Sequence, residues 1–452
     1  MTVGEALDRV ADQELHSVRV VFTDQHGHLR GKTMAASVMA SAFERGIGVP
    51  ASLLHKDTGN TYAVRVWEPT GDATLDGLVG APNIVMRPDP ATLRVLPWVD
   101  GTGIVLADLT TTDGRPIPHS TRGLCRRAVD ELGARGLGYM AGLELELHLF
   151  RVAGDGALEH THPGWDLLGE DALDRIEPAV EPIRRGLTAL GFTPMTIEAE
   201  LGPSQIELTF APTTGLAVAD QAVLVRSAIR HLARRNGHRA TFMSRPRLDD
   251  DAFPSGWHLH QSLVDAADGG NLFRPGPGDE LLSPLGRNFV AGLLANAPAS
   301  CLLTTPTVTG YKRYRPHAVT PDRITWSREH RGAMLRVIGG PDDPATRVEN
   351  RAGDPAANPY LYVASQIWSG LDGIECGRQP PPPALDPYDV GSGDRLPRSL
   401  GEALMAFETS DLYRRVLGAD VAAYLATLKR SEWRRFCSAV TDWEQREYFP
   451  QF

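Results

Sequence analysis

Five glutamates and one histidine, Glu144, Glu146, Glu200, Glu207, His258 and Glu349, have the types and local spacing of ligands for hard divalent cations. In the run Gly142 to Phe150, an extended chain puts Leu143, Leu145, Leu147 and Leu149 on one face and Glu144, Glu146 and His148 on the other. A strand at a sheet surface alternates in the same way. Carboxylates side by side with no interleaved lysine, however, repel unless a cation neutralises them.

A Gly202-Pro203 turn signal separates Glu200 from a second alternating run, in which Gln205, Glu207 and Thr209 oppose Ile206, Leu208 and Phe210. The third run, Ser255 to Leu263, places His258, His260 and Ser262 opposite Trp257, Leu259 and Leu263. Carboxylates with a single imidazole suit Mg²⁺, or Mn²⁺, two or more per site, better than a tetrahedral zinc site. Downstream, Tyr311 to His317 is followed by Arg323, Arg328, Arg331, Arg336, Arg347 and Arg351, in a chain of formal net charge -10. Guanidinium forks clustered in an acidic protein point to phosphate or carboxylate ligands. They do not point to nucleic acid, because the overall charge is wrong and no basic helical stripe accompanies them.

In order and spacing these blocks resemble the glutamine synthetase family across nearly the whole chain. The resemblance also rests on Val18 to Lys32, Arg87 to Trp98, Tyr311-Lys-Arg313 and Arg347 to Tyr360. It implies a first metal at Glu146, Glu200 and Glu207 on the carboxylate-substrate side. A second would lie at Glu144, His258 and Glu349 near the phosphates of ATP, the co-substrate. It further implies phosphate contacts from Arg331, Arg336 and Arg347, all three as nucleotide-binding residues and Arg331 also catalytic. His260 and Ser262 would lie beside the nucleotide, and Arg313 and Arg351, with Glu146 and Glu200, would bind L-glutamate.

Two departures bear on the nucleophile. Val319 stands where ammonia-using members carry a catalytic glutamate, and valine neither binds ammonium nor takes its proton. Asp322 is the nearest acid, and Asp57 is the one counterpart to the family's ammonium-pocket element from a neighbouring subunit. A separate departure bears on the acid: Phe253-Pro254 stands where the family has an Asn-Gly pair that contacts the amino-acid backbone of glutamate. An apolar residue in place of an anion disfavours a small cation and leaves room for a carbon substituent on nitrogen. The expectation is therefore an ATP-dependent carboxylate-amine ligase that makes a γ-glutamyl amide from an organic amine through a γ-glutamyl phosphate. The alternatives are an ammonia-using glutamine synthetase that recruits Asp322 or Asp57, and a catalytically weakened binding or sensor protein.

The elements that must position these residues fit an α+β chain of 452 residues. Strand-like runs at Ser17 to Thr23, Ala63 to Trp67, Thr92 to Trp98 and Gly103 to Leu109 suggest a sheet domain over 1–108, which the resemblance makes a β-grasp. Residues 109–452 would form the catalytic domain, a curved antiparallel sheet flanked by helices. Helices are expected near the N-terminus, from Ser120 to Gly133, from Asp220 to Asn236 and around Val290 to Leu303. Gly391 to Pro397, after Gln379 and four prolines, is expected as a surface crossing. Tyr388 lacks the context of a modified tyrosine. No secretory signal or apolar run of about 18 residues is visible, and the four scattered cysteines suit a reducing cytoplasm. Family likeness implies a homo-oligomer, a dodecamer of two six-membered rings, with no membrane partner.

Overall fold

A capping box opens the first helix, Val3–Asp12: the Thr2 hydroxyl accepts from Glu5 N, and the Glu5 carboxylate accepts from Thr2 N. The structure is a computed structural model that describes residues 1–69, 77–246, 253–278, 281–315 and 319–452. Pro316, His317 and Ala318 of the loop read from the sequence therefore lie outside the described residues.

The first sheet contains β1 (Ser17–Thr23), β2 (Leu29–Ala35), β3 (Ile47–Pro50), β4 (Asn83–Pro88), β5 (Arg94–Val95) and β6 (Thr102–Thr110), in the order β2-β1-β6-β4-β3 with β5 against β6. Its central pair, β1 and β6, is parallel and the rest is antiparallel. Two expected strands are corrected. Ala63 to Trp67 forms none, although Val64 and Val66 are buried; its amides at Ala63 and Val64 both go to the His55 carbonyl, so the alternation there records burial without a partner strand. The run Thr92 to Trp98 shrinks to β5, between a 3-10 turn at Pro90–Thr92 and Pro97.

The second sheet holds β7 (Leu137–Val152), β8 (Leu158–His160), β9 (Pro194–Ala199), β10 (Gln205–Phe210), β11 (Thr213–Thr214), β12 (His238–Thr241), β13 (Trp257–Asp265), β14 (Trp326–Arg328), β15 (Leu335–Ile338) and β16 (Arg347–Asn350). The path is β14-β15-β16-β13-β7-β10-β9, with β8, β11 and β12 also on β7. All pairs are antiparallel except β14 with β15, so the sheet is mixed rather than wholly antiparallel. Leu143, Leu145, Leu147 and Leu149 of β7 are sealed in one core with the helices Thr121–Gly133, Glu170–Ala189, Ala217–Arg235 and Pro359–Glu375. Burying each is worth about 2 kcal/mol. The charged face of β7 is turned the other way because the leucines must face the helices.

The two sheets share material. Val18, Val20 and Phe22 of β1 enter a smaller core with the first helix, whereas Val21 enters the large one; on β6, Val105 and Leu109 divide in the same way from Ile104 and Leu106. Both strands are thus covered on both faces, as parallel pairs usually are. Ser120 caps its helix as expected, accepting from Gly123 N; the helix expected from Asp220 starts at Ala217 without a side-chain cap, and the apolar helix expected around Val290 to Leu303 spans Pro284–Thr304 with Ser283 as its cap. Among the described residues no helix is long and apolar enough to cross a membrane. The stretch Gly391 to Pro397 is irregular, as expected, yet tied down: Ile324 N donates to Asp394 O and Leu396 N to Asp322 O, at 2.8 and 3.0 Å.

Candidate active site

Strand register builds the site. Glu146 lies opposite Glu207, and Glu207 opposite Glu198 on the next strand. His258 faces Glu144, His260 faces Glu349, and Glu349 faces Arg336. Paired residues share a face, so five strands lay carboxylates and imidazoles across one side of the sheet.

Three groups bring ligand atoms within 4.8 Å of one another: Glu144, His258 and Glu349; Glu146, Glu207 and His258; and Glu198, Glu200 and Glu207. The first is the set expected for the second metal. The first-metal set is assembled differently, because Glu200 sits in the turn before β10, its amide on Gln205 O, and meets Glu207 together with Glu198. Glu198 escaped the sequence reading. Its signal was present, since Thr196 and Glu198 alternate with Ile197 and Ala199, but the run resembles an ordinary amphipathic strand.

Glu146 accepts from Gln205 Nε2 at 2.7 Å and Gly256 N at 3.0 Å. Gly256 admits no side chain, because a Cβ would lie 2.7 Å from Arg313 Nη2 and 2.8 Å from His258 Nε2. Glu144 holds His258 Nδ1 and, at 2.8 Å, His260 Nε2. Glu349 is fully buried and accepts from Arg336 at 3.1 Å and from Arg351. Arg347 Nε donates to His260 Nδ1 at 3.2 Å. Ser262 is buried on the same strand.

Electrostatics divides the acids. Burial and then the neighbouring carboxylates push Glu207 up to about 11, and burial with Glu200 pushes Glu146 up to about 8. Glu200 is raised as well, chiefly by burial. Glu144 and Glu349 go the other way: burial opposes ionisation, but His258 beside Glu144 and Arg351 beside Glu349 outweigh it. Burial and Arg351 hold His258 low against the pull of Glu144 and Glu349, the direction that favours an imidazole acting as a metal ligand. Oxygens crowded beyond what their own cations can neutralise fit divalent metal ions, which would restore the ionised state.

Two expected residues are held largely by other parts of the chain. Arg313 is completely enclosed beside Gly256 and His258, donating to Gly353 O at 2.6 Å and Ala352 O at 3.2 Å, so its guanidinium borders the site while bracing the segment after β16. Asp57 is buried on its own subunit between Ser431 at 2.8 Å and Arg435 at 2.9 Å, which lower its pKa against burial. Within one chain it does not join the carboxylates. Arg331 offers its carbonyl to Arg351 Nε at 2.9 Å, and Arg336 also binds Glu329.

Val319 has φ 58°, an outlier for a β-branched residue, and is 45% exposed. Its carbonyl lies 3.4 Å from Arg351 Nη2, which links this loop to Glu349. Asp322 is buried, with neither carboxylate oxygen bonded among the described residues. Beside the Glu200 turn, Trp165 and Phe253 meet edge to face at 6.0 Å and 86°. They flank the turn between Glu200 and Gln205: Trp165 N donates to Leu201 O, and a Cβ on Gly202 would lie 2.6 Å from that of Phe253. Trp165 is 63% exposed and also has a positive φ, 65°. The sequence reading missed this pair because its members are 88 residues apart.

Comparison with known proteins agrees with this geometry. Residues 118–448 match the family described as glutamine synthetase, catalytic domain. A γ-glutamylanilide synthase of an Acinetobacter species is 41% identical over 467 residues, covering 96% of this chain and 93% of that protein. A γ-glutamylethanolamide synthetase of Streptomyces coelicolor is 32% identical, covering 97% and 94%. The solved GmaS/ADP complex superposes with a TM-score of 0.84 at 29% identity, covering 98% of this chain and 99% of that one.

Proposed function

Since the chain belongs to the glutamine synthetase family, we propose that it joins the γ-carboxylate of L-glutamate to an organic amine at the expense of ATP, and that the amine is an aromatic one. The similar enzymes are a γ-glutamylanilide synthase and a γ-glutamylethanolamide synthetase, both named for a γ-glutamyl amide of an organic amine. The observation that carries the finer reading is apolar side chains next to site residues: Val319, whose carbonyl meets Arg351, and the Trp165–Phe253 pair beside the turn that carries Glu200.

The glutamate carboxylate attacks the γ-phosphorus of ATP, forming an acyl phosphate and releasing ADP; the amine nitrogen then attacks that carbonyl, phosphate leaves, and the nitrogen loses a proton. Both approaching groups are anionic. Glu144, His258 and Glu349 would hold one Mg²⁺ or Mn²⁺, and Glu146, Glu200 and Glu207, with Glu198, the other. Bound metal supplies charge screening and polarises the phosphoryl oxygens. Arg331, Arg336 and Arg347 would grip phosphate, with His260 and Ser262 beside the nucleotide, while Arg351, already held by Glu349 and by the Arg331 and Val319 carbonyls, would turn its remaining N–H donors to the substrate carboxylate. Arg313 keeps Arg351 in place through the carbonyls it binds. An arylamine is neutral near pH 7, so it needs no carboxylate to deprotonate it, and its ring suits an edge-to-face platform.

Phosphate release with ATP, Mg²⁺, L-glutamate and a panel of aniline, ethanolamine, a diamine and ammonia tests this. Aniline is expected to give the highest kcat/KM. Full turnover with ammonia alone would sink the reading.

A further inference from the structure

We infer that a second ligand site lies away from the carboxylate face, in a cavity that takes a small organic anion with an apolar body. The cavity has a volume of about 410 Å³, within the range of small-molecule sites. It opens where the β1–β2 turn, the helix Ala217–Arg235, the end of β12 and the helix Ala419–Ser438 meet. No aspartate or glutamate lines it among the described residues, whereas Arg226, Arg230, Arg239 and Lys429 all do, with His26 and His28.

These cations are not equivalent. Lys429 is bonded to Glu432 and to the Pro306 carbonyl. Arg226 is buried, and its hydrogen bonds go to carbonyls, those of Pro355 and Ala357 at 2.7 and 2.6 Å and that of Gly27 at 3.4 Å, with its guanidinium 5.9 Å from the Trp257 ring. Among the described residues it makes no ion pair with a carboxylate, and a buried charge without one favours binding an anion. At the mouth, the side chains of Arg230 and Arg239 make no ion pair or hydrogen bond among the described residues. The far wall is apolar, with Phe242, Leu302, Leu361 and Leu428. A cationic mouth over an apolar pocket matches a carboxylate or phosphate head on a ring or short chain. The close approach of Gly27, φ 81°, keeps the space open: a Cβ there would lie 2.8 Å from Arg226 Nη2. Through Pro355 and Ala357, the same arginine holds the segment that follows Arg351.

Isothermal titration of the purified assembly with phenyl phosphate, benzoate, inorganic phosphate and neutral benzamide tests the site. At least one aryl anion should bind, with benzamide at least tenfold weaker. The double variant R230Q/R239Q should weaken the anion tenfold or more while R336Q leaves it unchanged, which separates this cavity from the phosphate-binding face. Preference for benzoate or for phenyl phosphate identifies the head group. Absence of binding by every anion, as when a second copy covers the cavity, overturns the inference. So does affinity untouched by R230Q/R239Q, or benzamide binding as well as benzoate.

Discussion

The carboxylate face and the arginine-lined cavity are two like-charge clusters of opposite sign, set on either side of the segment from Glu349 to Asn358. In one, unscreened acids are pushed toward neutrality, Glu207 to about 11 and Glu146 to about 8, by burial and by each other. In the other, burial and then Arg230 bring Arg226 down to about 9. Charge balance elsewhere is ordinary: Arg122, for example, is buried among Asp89, Asp108 and Asp220 at 2.7 to 2.9 Å. Unbalanced charge thus marks the places where something else belongs, while equally buried but paired charge marks architecture.

The strongest way to break this contrast is Glu207→Gln. Without metal the fold holds a proton on Glu207 that the unfolded chain releases, and glutamine removes that cost, so the metal-free protein should melt at the same or a higher temperature. Ligase turnover, read by phosphate release, should fall at least about a hundredfold because a metal ligand is lost. A large fall in melting temperature would instead make Glu207 an architectural residue.

A smaller effect concerns pH. The folded-state pKa values of Glu146 and Glu207 lie above the unfolded value, so the fold holds protons there that the unfolded chain releases. Their contribution is complete below about pH 4.5 and is lost as pH rises through about 8 for Glu146 and about 11 for Glu207. Melting of the metal-free protein should therefore decline from pH 5 to 9. Mg²⁺ should raise the melting temperature more at pH 8 than at pH 6, since cations replace protons. Equal Mg²⁺ stabilisation at both values would remove the electrostatic account.

Smaller still is the effect of the apolar side chains next to the site. Trp165→Ala should raise KM for an arylamine about three- to tenfold, the worth of one aromatic contact, and leave kcat/KM for ammonia unchanged. Val319→Glu should move preference toward ammonia. A Trp165→Ala loss equal for every amine would place the tryptophan in folding rather than selection.

The two regions also differ in how far they could be read from the chain. The carboxylate face was legible because strand period two writes a face directly into local sequence: Glu144 and Glu146 alternate with leucines, and His258 and His260 with Trp257 and Leu259. The α+β architecture and the capped helices were legible for similar local reasons. Pairing was not, so Glu198 went unseen until register set it opposite Glu207, and the carbonyl partners that hold Arg313 were not expected. The cavity was opaque, since residues 26, 226, 239 and 429 meet only through tertiary packing.

The smallest predicted effect gives the contrast its sign on the cationic side. Burial and then Arg230 lower the affinity of Arg226 for a proton, and burial and then Arg234 that of Arg230, so without ligand these charges oppose folding slightly. Arg230→Gln should leave the unliganded protein as stable or more so, by less than about 1 kcal/mol, because a charge at a cavity mouth is screened by water. Benzoate at saturation should reverse the order, protecting the parent chain more than the variant in thermal melts. The same residue would then be mildly destabilising when the cavity is empty and stabilising when it is filled, as a ligand group is and an architectural one such as Arg122 is not. If Arg230→Gln instead lowered unliganded stability as a buried ion-pair deletion does, by roughly 3 kcal/mol, the cationic lining would be part of the scaffold.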